Sequence, residues 1–466
     1  MSKYDVVVIG GGPAGITLSK IVGKRLKVAV IRPEEHSMVY CAMPYAIEGL
    51  LEVEKTFKAD SLVTDAGAEL IRGLVTDVDV EKRQLRLNGG ATISYDKLVI
   101  ATGARPLIPQ VPGRDLEGVT GFKTENDLKK VMDLLKTGTS KAVVVGAGAI
   151  GLELSLALIF QGIEVHLVDM EDSVLPNLLD PDMADELKEE IAGTGIDLHL
   201  RSKVVGLKGE SRVEQVILDT GEIIRLGAAD GRKGSKQGTL PGIVIFAAGM
   251  VPEISLFTDC GLVIGKEGIV VNDRMETNLP GVYAAGDCVQ FVSGITKKVI
   301  SGKLATNAVP MAKVLAFNLL GIPRTYPGFF NGVATKVGKF FVGGTGLTEK
   351  SAMECGYDTV CGYGKLTTQF PIMPDAKPVY MKLIADKKTH QLLGAQVVSG
   401  EPVSVRVDLF TFAIQKKTTI EELADLSYSA QPFQSFFPAA NIIVTAAEDL
   451  LKKLQMEAGM KKSTAV

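Results

Sequence analysis

Tryptophan is absent from these 466 residues, and no two cysteines are spaced CxxC. The five cysteines (Cys41, Cys260, Cys288, Cys355 and Cys361) are scattered and odd in number, which argues against a disulfide framework and a thiolate zinc site. No metal is expected. Histidine is scarce as well, limited to His36, His166, His199 and His390. No apolar run approaches the roughly 18 residues that a spanning helix needs, so no membrane insertion is expected. A net charge of -3, with no basic stripe interleaved with aromatics, argues against nucleic acid as a partner. The chain enters a buried-looking strand at residue 4, which leaves no room for a secretory leader and makes a reducing, cytoplasmic location the expectation.

What is present is a repeated pattern. YDVVVIGGGPAGITLSKIVGKRLKVAVIR (4–32) and KAVVVGAGAIGLELSLALIFQGIEVHLVD (141–169) each read as strand, glycine loop, helix and strand. Continuous β-branched runs such as VVVI and AVVV suit parallel strands buried on both faces, so two βαβ units are expected. LVIATGARP (98–106) and IVIFAAGMVP (243–252) read as strands leaving one domain for the next, and METNLPGVYAAGDC (275–288) adds another. A helix is expected at 300–321. From about 326 the pattern becomes that of an α+β module, with a hairpin at 379–398 and helices at 403–416 and 439–454. The Gly- and Lys-rich stretch 227–238 reads as a mobile surface loop.

Both glycine loops carry a phosphate-binding chemistry. Gly10, Gly12 and Gly15 fit GxGxxG between strand and helix: a tight turn, an open backbone for a pyrophosphate, and close helix packing, with the helix N-terminus favouring negative charge. The acid expected on the ribose is missing, because this strand ends in Ile31 and Arg32; either Glu34 reaches back or Arg32 meets the adenosine. Gly146, Gly148 and Gly151 repeat the spacing, and here Asp169 closes the strand. Asp169 can accept from both ribose hydroxyls, whereas a 2'-phosphate would meet Asp169, Glu171 and Asp172, so NADH is preferred to NADPH. Glu153, placed in the first turn of the second helix, is a candidate to orient the nicotinamide end.

Two such units, joined by ATGARP and NLPGVYAAGDC, resemble the pyridine nucleotide-disulfide oxidoreductase family across residues 1 to about 450. The resemblance implies an α/β fold with two Rossmann-like dinucleotide-binding domains and a C-terminal α+β dimerisation domain. Its expected divisions are 1–112 with 252–325 for FAD, 113–251 for NADH, 326–450 for dimerisation, and 451–466 as a flexible tail. It implies that Asp287 meets the flavin ribityl chain and that Thr102 and Gly103 lie against FAD. Pro13, Ala14, Ile150, Gly249 and Gly286 complete the expected cofactor contacts, and a homodimer is the expected assembly.

SMVYCAMPYA (37–46) is similar to the single-cysteine branch of that family: coenzyme A-disulfide reductases, persulfide or polysulfide reductases, and NADH oxidases. Dithiol members carry CxxxxC, but here the fifth residue after Cys41 is Ala46, and their C-terminal His-Glu motif is absent. The resemblance makes Cys41 the redox nucleophile, against the plainer reading of a small buried hydrophobe. It also makes Tyr428, in DLSYSAQPF, the candidate proton donor from a second subunit. A second tyrosine of the coenzyme A group is replaced by Ile372 and Met373, and its asparagine by Val309. Thr17, Lys20, Lys24 and Ser37, with Arg25, are candidates for substrate phosphates; whether coenzyme A is substrate or bound ligand stays open.

The expected activity is FAD-dependent, NADH-driven reduction of a small-molecule disulfide, persulfide or polysulfide through Cys41. The alternatives are an NADH oxidase cycling through a cysteine sulfenic acid and an electron-transfer flavoprotein serving a ferredoxin-like partner. Cys260, Cys288, Cys355 and Cys361 read as structural.

Overall fold

The computed structural model describes residues 2–226, 242–301 and 305–463, without the side chains of residues 305 and 458–463. The expected surface loop at 227–238 lies outside the described residues. The chain divides into two compact units. One holds Met1–Leu107, Phe122–Lys129 and Gly249–Phe329; the other holds Ile108–Gly121, Lys130–Ala248 and Phe330–Val466. Residues 122–129, expected with the NADH domain, thus cluster with the first unit.

In the first unit, strand Ser2–Ile9 pairs in parallel with Val28–Arg32 on one side and Thr92–Ile100 on the other, and Glu69–Arg72 extends the sheet beyond Val28–Arg32. Val282–Ala284 joins Thr92–Ile100, also in parallel. Val6, Val7 and Val8 have no exposed surface, which is why this strand reads as an unbroken β-branched run rather than an alternating one. Helix Pro13–Val22 crosses over from the first strand and packs on helix Ala305–Leu319. Residues 302–304, expected at the start of that second helix, lie outside the described residues.

The second unit opens with a parallel sheet in the order Val119–Gly121, Gly242–Phe246, Lys141–Val145, Glu164–Val168 and Asp197–His199. Val143, Val168 and Phe246 of this sheet share a core with Val204, Val216 and Ile224 of an antiparallel three-stranded sheet, Val204–Lys208, Gln215–Leu218 and Ile223–Arg225. The unit continues in a five-stranded antiparallel sheet, in which Pro378–Asp386 and Leu392–Ser399 form the expected hairpin. Helix Ile442–Ser463 lies on strand Thr359–Thr367. A side chain at Gly362 would strike the Ala446 carbonyl, so the missing Cβ lets helix and strand approach. Cys361, expected beside this strand, is inside it.

Of the segment 451–466, expected as a flexible tail, residues 451–463 are helical and continue this helix to Ser463. Its Ala, Leu, Lys and Glu content favours helix, and Lys453 pairs with Asp449 one turn back.

Candidate functional site

The first glycine loop forms one wall of a cleft with an open volume of about 830 Å³. Gly10 has φ +119°, and a Cβ there would collide with the Ala101 carbonyl; one at Gly15 would strike the Gly10 carbonyl. Gly12 has open space where its Cβ would stand, so bare backbone faces the cleft. Gly12 also caps helix Pro13–Val22, with no side-chain cap and no acid in the first turn, leaving the positive end of the helix for an anion.

Pro13, Ala14, Arg32, Glu34, Ser37, Thr102, Gly103, Gly286 and Asp287 line the same cleft. Asp287 Oδ2 accepts from Lys123 Nζ at 2.9 Å, while Oδ1 is buried and finds no hydrogen-bond partner among the described residues. Arg32 Nε and Ser37 Oγ are likewise buried and unpartnered. Each such group left unmade costs about 1–3 kcal/mol. Open loop backbone, a helix N-terminus, a buried acceptor and two buried donors fit a long polar dinucleotide such as FAD.

Arg32 is held at the strand end, 2% exposed, with its guanidinium donating to Asp60 and to the Glu35 carbonyl; Asp60 also pairs with Arg72. Burial pulls Arg32 below its ordinary value, as does the neighbouring Arg72 charge. The strand end that lacks an acid thus carries an anchored arginine, with Glu34 on the same cleft wall. Thr102 Oγ1 donates to the Glu253 carbonyl, and Glu253 N–H donates to the Gly103 carbonyl at 2.9 Å.

Cys41 sits in a short 3-10 turn, Tyr40–Ala42, between strand Ser37–Met38 and helix Met43–Glu48. It is exposed, which removes the buried-hydrophobe reading. Strand Ser37–Met38 pairs with Phe57–Lys58 and brings up a lysine that the sequence did not single out. Burial pulls the Lys58 ammonium down, the Cys41 charge pushes it up, and the Lys20 charge pulls it down again, so these three groups share one electrostatic neighbourhood. Tyr40 lines the cleft next to Cys41, and burial pushes its phenol up, with the Glu34 and Asp287 charges adding to the rise. His36 stacks flat on Phe57 at 4.1 Å, and its Nδ1 lies 3.2 Å from Glu125.

In the second loop, Gly146 has φ +112° and turns against Ala247, Gly151 presses on Gly146, and Gly148 is open, as in the first loop. Ile150 is 43% exposed. The Asp169 carboxylate accepts from the Ala147 and Glu171 N–H groups, so the strand-end acid also pins the loop. Glu153 is not in the first turn, because the helix begins at Ala149 with Gly148 as its cap. Its carboxylate accepts from Thr335 Oγ1 at 2.6 Å.

Of the substrate candidates, Lys20 joins Lys58 and Cys41, and Ser37 lies on the dinucleotide cleft; Thr17 and Lys24 are not among the cleft residues. Gly249, at φ +116°, accepts from Leu107 N–H at 2.9 Å. Tyr428 is 39% exposed and donates to the Pro438 carbonyl. Cys288 is buried, with its thiol 3.4 Å from the Ile100 carbonyl, and burial pushes the Cys361 thiol well up. Lys58, Asp60, Lys123 and Tyr40 went unremarked because no motif marks them; only strand pairing and cleft walls bring them in.

Residues 4–312 match the pyridine nucleotide-disulphide oxidoreductase family, and residues 334–439 match its dimerisation domain. The NADH oxidase of Methanocaldococcus jannaschii is 34% identical, covering 96% of this chain and 99% of that protein. The CoA-dependent NAD(P)H sulfur oxidoreductase of Pyrococcus abyssi is 32% identical over 92% of this chain and 95% of its own. An NAD-dependent persulfide reductase from A. fulgidus superposes with a TM-score of 0.88 at 29% identity, covering 96% of this chain and 83% of that one. Among the described residues no helix is long and apolar enough to cross a membrane. The chain belongs to the pyridine nucleotide-disulphide oxidoreductases, enzymes that work with FAD and NAD(P)H.

Proposed function

We propose that this protein is a cytoplasmic, homodimeric, FAD-dependent NADH oxidoreductase that reduces a disulfide, persulfide or polysulfide through Cys41. The observation that carries this reading is that Cys41 is exposed, alone among the five cysteines, on the same compact unit as the dinucleotide cleft. The persulfide reductase and CoA-dependent sulfur oxidoreductase among the relatives support the substrate class.

FAD, when bound, passes an electron pair from NADH to the thiol chemistry. The residues that would hold it are the Gly10–Gly15 loop for the pyrophosphate, Arg32 and Glu34 for the adenosine, and Asp287, Thr102 and Gly103 for the remainder. The second loop and Asp169 would hold NADH, with Glu171 and Asp172 opposing a 2'-phosphate.

Cys41 Sγ, as thiolate, attacks one sulfur of the substrate. The sulfur–sulfur bond breaks, one thiolate leaves, and Cys41 becomes bonded to the other sulfur. Two electrons from NADH then break that new bond, releasing a second thiol or a sulfide and restoring the thiolate. Lys58 and Lys20 draw anionic substrates toward Cys41. Tyr428 of the second subunit protonates the leaving sulfur. Coenzyme A-linked substrates come first for testing, with Lys20 as the phosphate contact.

Anaerobic titration of the FAD holoenzyme with dithionite or NADH tests this relay. For holoenzyme first loaded with a disulfide substrate and freed of excess, so that Cys41 carries a mixed disulfide, the expected uptake is about four electrons per FAD and drops to two in Cys41→Ser; the same uptake in both proteins sinks it. A second reading, oxygen reduction through a Cys41 sulfenic acid, draws on the relative named NADH oxidase and on the exposure of Cys41. Comparing turnover with CoA disulfide, CoA persulfide, polysulfide and oxygen separates the two.

A further inference from the structure

Histidine is scarce in this protein, yet two of its four histidines meet on the second unit, beside Asp169, whose N–H donates to the His199 carbonyl at 3.0 Å. Strands Glu164–Val168 and Asp197–His199 pair in parallel with His166 opposite Asp197 and Val168 opposite His199. Side chains two residues apart on a strand share a face, so this register places His166, Asp197 and His199 on one face of the sheet.

Three atoms close a triangle there. His166 Nδ1 lies 3.0 Å from Asp197 Oδ2 and 3.1 Å from His199 Nε2, and His199 Nε2 lies 3.3 Å from the same Asp197 oxygen. At metal–ligand distances of about 2.0–2.1 Å, neighbouring donors of a tetrahedral ion stand roughly 3.3 Å apart. The triangle therefore has the size of one face of a tetrahedral site. The His166–His199 edge is a hydrogen bond whose donor is set by the tautomer, and it joins the two nitrogens that an ion would take.

The far nitrogens of the two rings differ. His199 Nδ1 lies 3.3 Å from Glu222 Oε2, and a carboxylate there can orient a ligating imidazole and raise its basicity. His166 Nε2 is buried without a hydrogen-bond partner among the described residues, because the Glu164 oxygen 3.3 Å away pairs with Lys141 at 2.6 Å. His166 is 9% exposed, so the triangle has one buried corner. The Asp197 side chain is 59% exposed, so the fourth position of a bound ion faces solvent.

We infer that His166, His199 and Asp197 form a binding site for a divalent transition-metal ion of the zinc class, clipping the edge strand of the second sheet to its neighbour. Two imidazoles and one carboxylate suit Zn²⁺, with Co²⁺ as its spectroscopic stand-in. The scattered cysteines argue only against a thiolate site, and these ligands lie on two strands with no motif spacing between them. The site is separate from the thiol relay and stands whether or not that relay does.

The test uses untagged, full-length FAD holoenzyme dialysed against a chelator and titrated with Co²⁺, then with Zn²⁺. The expected result is one Co²⁺ per chain, with the intense visible bands of a four-coordinate ion, displaced by Zn²⁺ and accompanied by a higher melting temperature. Asp197→Asn, at an exposed position that tolerates substitution, and His199→Gln should abolish the bands while retaining FAD. Glu222→Gln should weaken binding about 10- to 100-fold. Absent bands in the wild type, or bands that persist in Asp197→Asn, overturn the assignment. If His199→Gln fails to fold, Asp197→Asn decides alone.

Discussion

Replacing Lys382 with methionine tests the most heavily loaded ionic cluster of the second unit. Lys382 is 1% exposed, and its ammonium lies 2.8 Å from Glu349, 2.9 Å from Asp182 and 3.2 Å from Asp180. Burial by itself pulls this lysine down, but Glu349, Asp182 and Asp180 together push it well above its ordinary value. Removing one partner of a buried ion pair costs about 3–5 kcal/mol, because the remaining charge is stranded. Here the carboxylates keep other donors: Asp180 retains Gln396 Nε2 at 2.7 Å and Glu349 N–H at 3.0 Å, and Asp182 retains the Tyr363 hydroxyl. The expected loss is therefore at the low end, about 3 kcal/mol at pH 7.

The pH dependence follows from the same contacts. Burial pushes Asp182 up, but Tyr363 and Lys382 pull it further down, so its net position is below the ordinary carboxylate range. A depressed carboxylate contributes stability above its unfolded pKa and loses it as pH falls through the folded one. The raised lysine contributes fully below its unfolded pKa and loses that stability only as pH rises through the folded value. The gap between wild type and Lys382→Met should narrow on acidification through the carboxylate range and persist at mildly alkaline pH. Urea unfolding followed by far-UV circular dichroism measures it. A loss under about 0.5 kcal/mol at pH 7 refutes the reasoning, since that is the size of an ordinary surface substitution.

Asp287→Ala removes the buried unpartnered acceptor and strands Lys123; FAD affinity, measured by flavin release on dilution, should fall at least about tenfold, or about 1.4 kcal/mol. Lys58→Met should slow alkylation of Cys41 by anionic iodoacetate severalfold more than by neutral iodoacetamide, and an equal effect on both reagents removes Lys58 from the thiol's surroundings. Asp169→Ser should shift the NADPH to NADH ratio of kcat/KM toward NADPH by about tenfold through lost like-charge repulsion. A ratio that does not move rules out Asp169 as the discriminating charge.

The two βαβ units, their glycine roles and the hairpin were legible because each is local: a buried parallel strand must be continuously apolar, and GxGxxG spacing encodes a turn, an open face and a close packing. The helix runs past its expected end at residue 454 to Ser463, an extension not expected because short polar tails usually fray. Glu153 was placed a turn too early because the helix start depends on its cap, Gly148.

By itself the sequence determined the family, the pair of nucleotide loops and the absence of a second cysteine for Cys41, since these rest on residue identity at short spacing. Only the tertiary structure decided that Cys41 is exposed beside Lys58, that Arg32 is clamped by Asp60, and that His166, Asp197 and His199 share one sheet face. Those facts arise from strand pairing and burial between residues far apart in the chain, and no local pattern carries the register that brings them together.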